Sequence, residues 1–228
     1  DFNAKANYKI NDKNRIFLSG YLGRDVIKIS NRFGIDWGNT TGTLRWNHLW
    51  SQKLFSNTSV VYSDYNYRVA ITRDADDFSI TSSIRNINLK HEFQYYLNSK
   101  HTFNFGFNSF YHTITPGQVE ASDSSNINPV NLQNRNALEN AIFFSGNWKP
   151  NSRWNIEYGV RLSSFNLLGA GDFYSYNSDG DVIDTSSYSK GQIVKTYVNP
   201  EPRLNIAYII NENNSLKLSY TRNTQNLH

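Results

Sequence analysis

Three groups of side chains in this sequence have types and spacings that could do chemistry. His112 with Asp64 and Asp123 supplies an imidazole and two carboxylates, the parts of a water-activating acid–base site. They stand in no convincing register, and an imidazole on a polar face is more often hydrated than catalytic, so no catalytic residues are expected. The loop Asn177-Ser178-Asp179-Gly180-Asp181 offers oxygens at alternate positions, as a calcium loop does, but lacks the distal bidentate glutamate. Asp-Gly between Tyr176 and Val182 reads better as a hairpin tip. Asp74-Ala75-Asp76-Asp77 reads as a solvated loop, so neither a metal site nor a cofactor is expected. Trp37, Tyr174, Tyr176 and Tyr188 lie on long connections and could stack on a sugar, a peptide or a chelate. They are the ligand-binding candidates, with packing of loop against loop as the alternative.

What must position these residues is a sheet. From Phe2 to Ile10, Phe2, Ala4, Ala6, Tyr8 and Ile10 share one parity, with Asn3, Lys5, Asn7 and Lys9 on the other. Side chains alternate across a strand, so one face is apolar and the other wet. Ile87 to Leu97, Phe103 to Tyr111, Trp154 to Leu162 and Leu216 to Tyr220 repeat the pattern. Short polar turns fall at Asn11–Asn14, near Ser51–Lys53, at Asn98–Lys100, at Lys149–Ser152 and at Asn211–Asn214. Longer polar connections lie between them: Arg24 to Thr41, Thr72 to Phe78, Ile114 to Arg135 and Leu168 to Lys195.

This rhythm is that of a transmembrane barrel with short periplasmic turns and long extracellular loops. The alternation predicts about ten strands: 2–10, 15–23, 42–50, 55–71, 79–97, 102–113, 136–148, 153–167, 196–210 and 215–222. Tyr8, Trp46, Trp50, Tyr95, Trp148, Trp154 and Tyr208 fall near turn ends, where an interfacial aromatic girdle belongs. His112, Arg161 and Arg203 have the parity of the lumen, and Arg203 is expected to pair with a neighbouring carboxylate. The Pro200-Glu201-Pro202 pair predicts a bulge or an unpaired stretch, because proline cannot donate to the ladder.

Composition agrees. A mean hydropathy of −0.61 looks soluble, yet a barrel wall exposes only alternate residues to lipid. No stretch approaches the ~18 apolar residues of a membrane helix. Aromatic residues make 15% of the 228-residue chain, cysteine is absent, and the net charge of +4 is scattered. The absence of cysteine excludes a zinc cluster or thiol nucleophile, and the scattered charge excludes a concentrated nucleic-acid surface.

Near its end the chain reads Tyr197-Val198-Asn199-Pro200-Glu201-Pro202-Arg203-Leu204-Asn205-Ile206-Ala207-Tyr208, then a polar turn, then Ser215-Leu216-Lys217-Leu218-Ser219-Tyr220-Thr221-Arg222-Asn223-Thr224-Gln225-Asn226-Leu227-His228. This resembles the barrel of TonB-dependent outer-membrane receptors of the Bacteroidetes type, where a Glu-Pro-Arg strand, a short turn and such a strand come in this order. The Tyr-rich stretch from Phe173 to Lys190 resembles that family's extracellular hairpin. The resemblance implies an active importer of a nutrient ligand in the bacterial outer membrane, among outer-membrane lipids. Its implied partners are the TonB-ExbB-ExbD complex, acting through a plug, and a surface lipoprotein as an option. Both chain ends fall at the extracellular side, so residues 1–228 are expected to be a slice of a larger barrel, of about 22 strands, with plug and remaining strands elsewhere. The alternatives are a passive porin or adhesin barrel, an omptin-like rim protease and a soluble β-sandwich binding module.

Overall fold

The computed structural model describes residues 1–29, 32–72, 77–122 and 125–226. Its strands are β1 (Phe2–Asn11), β2 (Asn14–Ile29), β3 (Phe33–Leu49), β4 (Leu54–Ile71), β5 (Phe78–Asn98), β6 (His101–Ala121), β7 (Arg135–Trp148), β8 (Trp154–Leu168), β9 (Gly171–Tyr176), β10 (Val182–Tyr188), β11 (Ile193–Asn211) and β12 (Asn214–Thr221). Ten of them form one antiparallel sheet in the order β1-β2-β3-β4-β5-β6-β7-β8-β11-β12, and β9 and β10 form a separate hairpin. Each strand pairs with its neighbour in sequence, save where that hairpin intervenes between β8 and β11. The ten predicted strands are therefore present, and among the described residues no helix accompanies them.

The five short turns share one device. Asn11, Asn98, Asn151 and Asn211 each place their side-chain oxygen 2.9–3.1 Å from the backbone N–H two residues on. Ser51 Oγ does the same for Lys53 and Leu54. A side chain that mimics a backbone acceptor closes such a turn locally, which explains the asparagine at four sites and the serine at the fifth. In the first turn Lys9 lies 2.5 Å from Asp12 and holds its carboxyl below the usual range.

Register sets the tilt. Lys9, two residues above Asn11 at the foot of β1, begins an unbroken line of cross-strand partners. The line passes through Asn47, Glu92 and Phe143 and ends at Glu201, ten residues above Asn211. It thus climbs eight residues over eight strand-to-strand steps. With about 3.4 Å per residue and about 4.8 Å between strands, the strands tilt by about 35°, where barrel strands stand.

The sheet departs from expectation at its upper ends. β2 and β3 pair as far as Ile29 and Phe33, so the expected loop from Arg24 to Thr41 is mostly ladder. β6 runs on to Ala121, and the stretch from Leu168 to Lys195 holds the β9–β10 hairpin. Outward apolar residues are needed only where lipid lies, so the pattern used to place the strands stops before the strands do. Pro200 and Pro202 stand in a regular ladder opposite Leu162 and Val160, without the expected bulge. The carbonyl of Pro202 accepts from Arg222 N–H on the β12 side. The missing proline donors therefore face the side where β12 ends, and the ladder to β8 loses nothing.

Candidate functional site

Cross-strand partners share a face, so the registers divide the sheet cleanly. One face carries Leu18, Leu44, Val60 and Leu89 in one line, Phe107, Ile142 and Leu162 in another, and Phe93, Phe105, Phe144 and Val160 in a third. Leu18 and Ile142 remain 58% and 62% exposed, so no second layer of described residues covers this band. Its polar members satisfy each other: Ser109 Oγ donates to Asn140 Oδ1 at 2.8 Å. Aromatic pairs mark its lower border, Trp154 on Tyr208 at 4.4 Å and His101 on Trp148 at 5.7 Å.

The opposite face is polar. Asn88 donates to Asn108 Oδ1 at 2.5 Å, and Asn147 to Asn155 Oδ1 at 2.9 Å. Its centre is a charged cluster. Arg161 stands 3.5 Å from Glu139 and 3.9 Å from Glu201, and Ser163 Oγ donates to Glu201 at 2.8 Å. Lys90 lies 2.6 Å from Glu92 and over the ring of Phe143. Arg161 and Arg203 both have this face's parity, but among the described residues Arg203 forms no ion pair. A neighbouring carboxylate, Glu201, lies directly opposite Arg161 and pairs with it instead.

His112 lies on the polar face, buried, with Nδ1 2.7 Å from Asn86 Oδ1 and its ring stacked on Phe110. Asp64 has the opposite parity and is paired with Arg85 Nε at 3.1 Å. The sheet therefore separates His112 from Asp64, while Asp123 lies outside the described residues, as do Asp74 and Asp76. Among the described residues no three His, Asp or Glu side chains gather as metal ligands would. Asn177 Oδ1 accepts from Asp179 and Asp181 N–H, and Gly180 takes φ +90°, making this loop the hairpin tip that was expected.

Above the apolar band the two faces exchange character. On the formerly polar side, Trp37 pairs with Tyr67, Tyr65 with Ile84, Ile84 with Ile114, and Ile35 with Val69. On the formerly apolar side come Arg24 with Asp36, Arg68, and Arg85 with Asp64. Trp37 thus sits on a strand rather than a loop. Tyr174 and Tyr176 are exposed on the β9–β10 hairpin, while Tyr188 meets Phe173 edge-on at 5.5 Å. Arg135 stands over the ring of Phe173 at 4.3 Å and donates to the Asp172 carbonyl, tying the hairpin to the sheet. Tyr65, Tyr67 and Ile35 were missed by the sequence reading. The signal was present as a change of parity along β3 and β4.

An all-antiparallel sheet, tilted like a barrel wall, apolar on one side and polar on the other, defines the class: a transmembrane β-barrel. The particular family follows, since residues 1–226 match the model of the TonB dependent receptor-like β-barrel. The chain belongs to this family, and it is an outer-membrane protein. No curated protein matches it by sequence. Among solved structures it is similar to the Serratia marcescens hemophore receptor HasR, with a TM-score of 0.69 and 14% identity over 96% of this chain. It is also similar to the ferric-catecholate import receptor Fiu of E. coli K12, at 0.66 and 13% over 96%. The copper transporter OprC scores 0.70 at 10% over 92%. The matches span 35%, 42% and 35% of those chains, so this chain corresponds to under half of their length.

Proposed function

We propose that the chain forms the wall and extracellular loops of a TonB-dependent receptor that imports a nutrient ligand across the outer membrane. The observation that carries this reading is the exchange of faces: a lumenal wall that is polar within the membrane becomes aromatic and aliphatic above it. A pore for small solutes needs only the polar part; a capture site needs the upper one. Trp37 with Tyr67 on the sheet, and Tyr174 and Tyr176 on the hairpin backed by Tyr188, are the ligand contacts. They suit a ligand with planar or apolar groups. His112, Arg161 and Arg203 would line the hydrated path beneath. The Glu201-Pro202-Arg203 strand and its successor support the Bacteroidetes type. In the whole protein, remaining strands would close a barrel of about 22 around a plug on which TonB-ExbB-ExbD acts, with a surface lipoprotein as an optional partner.

The test is uptake by cells carrying the full-length protein. Haem, a ferric catecholate and copper form the first panel, after the ligands of the similar structures. At about 0.5–1.5 kcal/mol for each aromatic contact, Trp37→Ala should weaken capture roughly 2- to 13-fold without lowering barrel yield. Uptake must collapse when the proton gradient is dissipated. Transport that continues unchanged in de-energised cells would establish the passive pore instead.

A further inference from the structure

The charge of this chain is sorted by height. The five short turns, with the four strand residues adjoining each of their ends, hold nine lysines and arginines against three acids. That end alone is therefore more positive than the whole chain, whose net charge is +4, and everything above it is net negative. Short turns are the periplasmic ends of barrel strands, so the basic end faces the periplasm.

The surplus stands in the turns themselves. Lys13, Lys53, Lys100 and Lys149 lie one in each of the first four, with Arg153 beside the last. All five are exposed, and among the described residues none of them forms an ion pair. Lys53 donates to the Leu97 carbonyl at 3.1 Å, which steadies the side chain and leaves its charge unopposed. The three acids do not offset the row. Asp12 lies 2.5 Å from Lys9, and Glu157 shares a lumenal pocket with Lys217. Glu212 belongs to the fifth turn, which holds no base. Arg15 and Arg45 add positive charge from the lumenal side of β2 and β3.

The spacing of the row selects its partner. At the tilt derived above, strands recur about every 6 Å along the rim. Successive turns thus stand about 12 Å apart, and the four span about 35 Å. A lipid leaflet meets every turn alike, yet the fifth turn carries Glu212, so the cations mark a sector and not a circumference. In a barrel of about 22 strands that sector bends through about a quarter of a circle. A stiff polymer would touch one or two of its turns, whereas an extended polypeptide can follow all four. Neighbouring lysines lie farther apart than the ~8 Å Debye length, so the empty row repels itself little and each charge is available separately.

We propose that this arc docks an extended acidic polypeptide segment of a periplasmic partner, one carboxylate against each of Lys13, Lys53, Lys100 and Lys149. An extended chain advances about 3.4 Å per residue, so the acids of such a segment recur at about every fourth position. The test uses the full-length protein in uncharged detergent at low salt. The probe is a labelled Gly-Ser peptide with glutamate at every fourth position, four in all. At about twofold for each exposed ion pair, its glutamine counterpart should bind about 16-fold more weakly. Replacing Lys13, Lys53, Lys100 and Lys149 together by Gln should weaken the acidic peptide by the same factor. A peptide with its four glutamates adjacent reaches about two turns and should bind about fourfold more weakly. Lys28→Gln with Arg68→Gln, at the opposite end of the strands, should change nothing; heat-modifiable gel migration checks that each variant is folded. Equal affinity for the glutamate and glutamine peptides, for spaced and adjacent glutamates, or for the native and quadruply substituted protein would overturn the proposal. So would displacement of the peptide by phosphatidylglycerol at equal charge, which would assign the arc to the inner leaflet. Tighter binding to isolated peptidoglycan, carboxylate for carboxylate, would assign it to the cell wall instead. None of these readouts depends on uptake, so the proposal can fail while the import function stands, and the reverse.

Discussion

Placing an arginine at Phe107 tests the orientation of the whole wall. Along β6 the outward aromatic positions run from Phe103 through Phe105 and Phe107 to Tyr111. The eight residues between the extremes rise about 22 Å at the tilt derived above, close to the ~25 Å apolar band of a barrel. Phe107 is midway, about 11 Å from either border. An arginine there should cost about 2–4 kcal/mol, whereas Tyr111→Arg at the border should cost about 0–1 kcal/mol. Asn108, the next residue, faces the lumen, where water can solvate a guanidinium. Asn108→Arg loses the hydrogen bond from Asn88, worth about 1 kcal/mol. The folding equilibrium should therefore fall about 30- to 900-fold for Phe107→Arg and about fivefold for Asn108→Arg. Reversible urea unfolding of the full-length protein in phospholipid vesicles, followed by tryptophan fluorescence, measures all three. If Asn108→Arg costs as much as Phe107→Arg, or Tyr111→Arg costs as much as the central substitution, the assignment of lipid and lumen faces is refuted.

Other substitutions probe particular contacts. Glu201→Ala leaves Ser163 Oγ only the Asn199 carbonyl at 3.4 Å and Arg161 only Glu139; it should destabilise by about 1–3 kcal/mol, read as a lower urea midpoint with an unchanged slope. Gly106→Val should cost about 1–3 kcal/mol, because a Cβ there would lie 2.1 Å from the His91 carbonyl oxygen and 2.9 Å from Glu92 Cα; a wild-type midpoint would contradict the close approach. Since the sequence contains no cysteine, single cysteines at Phe105 and Asn108 can be labelled without background. Lipid-phase reagents should reach only the first and aqueous reagents only the second.

How much of this was legible beforehand depended on where each residue lies relative to the membrane. Within the band, a strand must be apolar outward and hydrated inward, so Phe103, Phe105 and Phe107 against Asn104 and Asn108 reveal both strand and face. The short turns were equally plain, because asparagine, or serine at Ser51, closes them through its own side chain. The upper strand ends were not, since there the constraint reverses. On β3 the apolar set moves from the even positions Leu44 and Trp46 to the odd positions Ile35 and Trp37. On β4 it moves from Val60 and Tyr62 to Tyr65, Tyr67 and Val69. A search for one continuous period two ends at the switch and assigns the remainder to loop, as happened with Arg24 to Thr41.

The sequence by itself therefore determined the all-β class, the number of strands in the sheet, the turn chemistry and the parity of Arg161, Arg203 and His112. All of these follow from interactions between residues close in the chain or from the solvent each face meets. Partnership across strands was decided only by the tertiary structure. It is register that gives Glu201 to Arg161 rather than Arg203, that sets Asp64 and His112 on opposite faces, and that brings Trp37 against Tyr67. Register adds the stagger of one residue per strand, and with it the tilt and the height of every side chain. No single strand encodes that quantity, because it arises from how successive strands align.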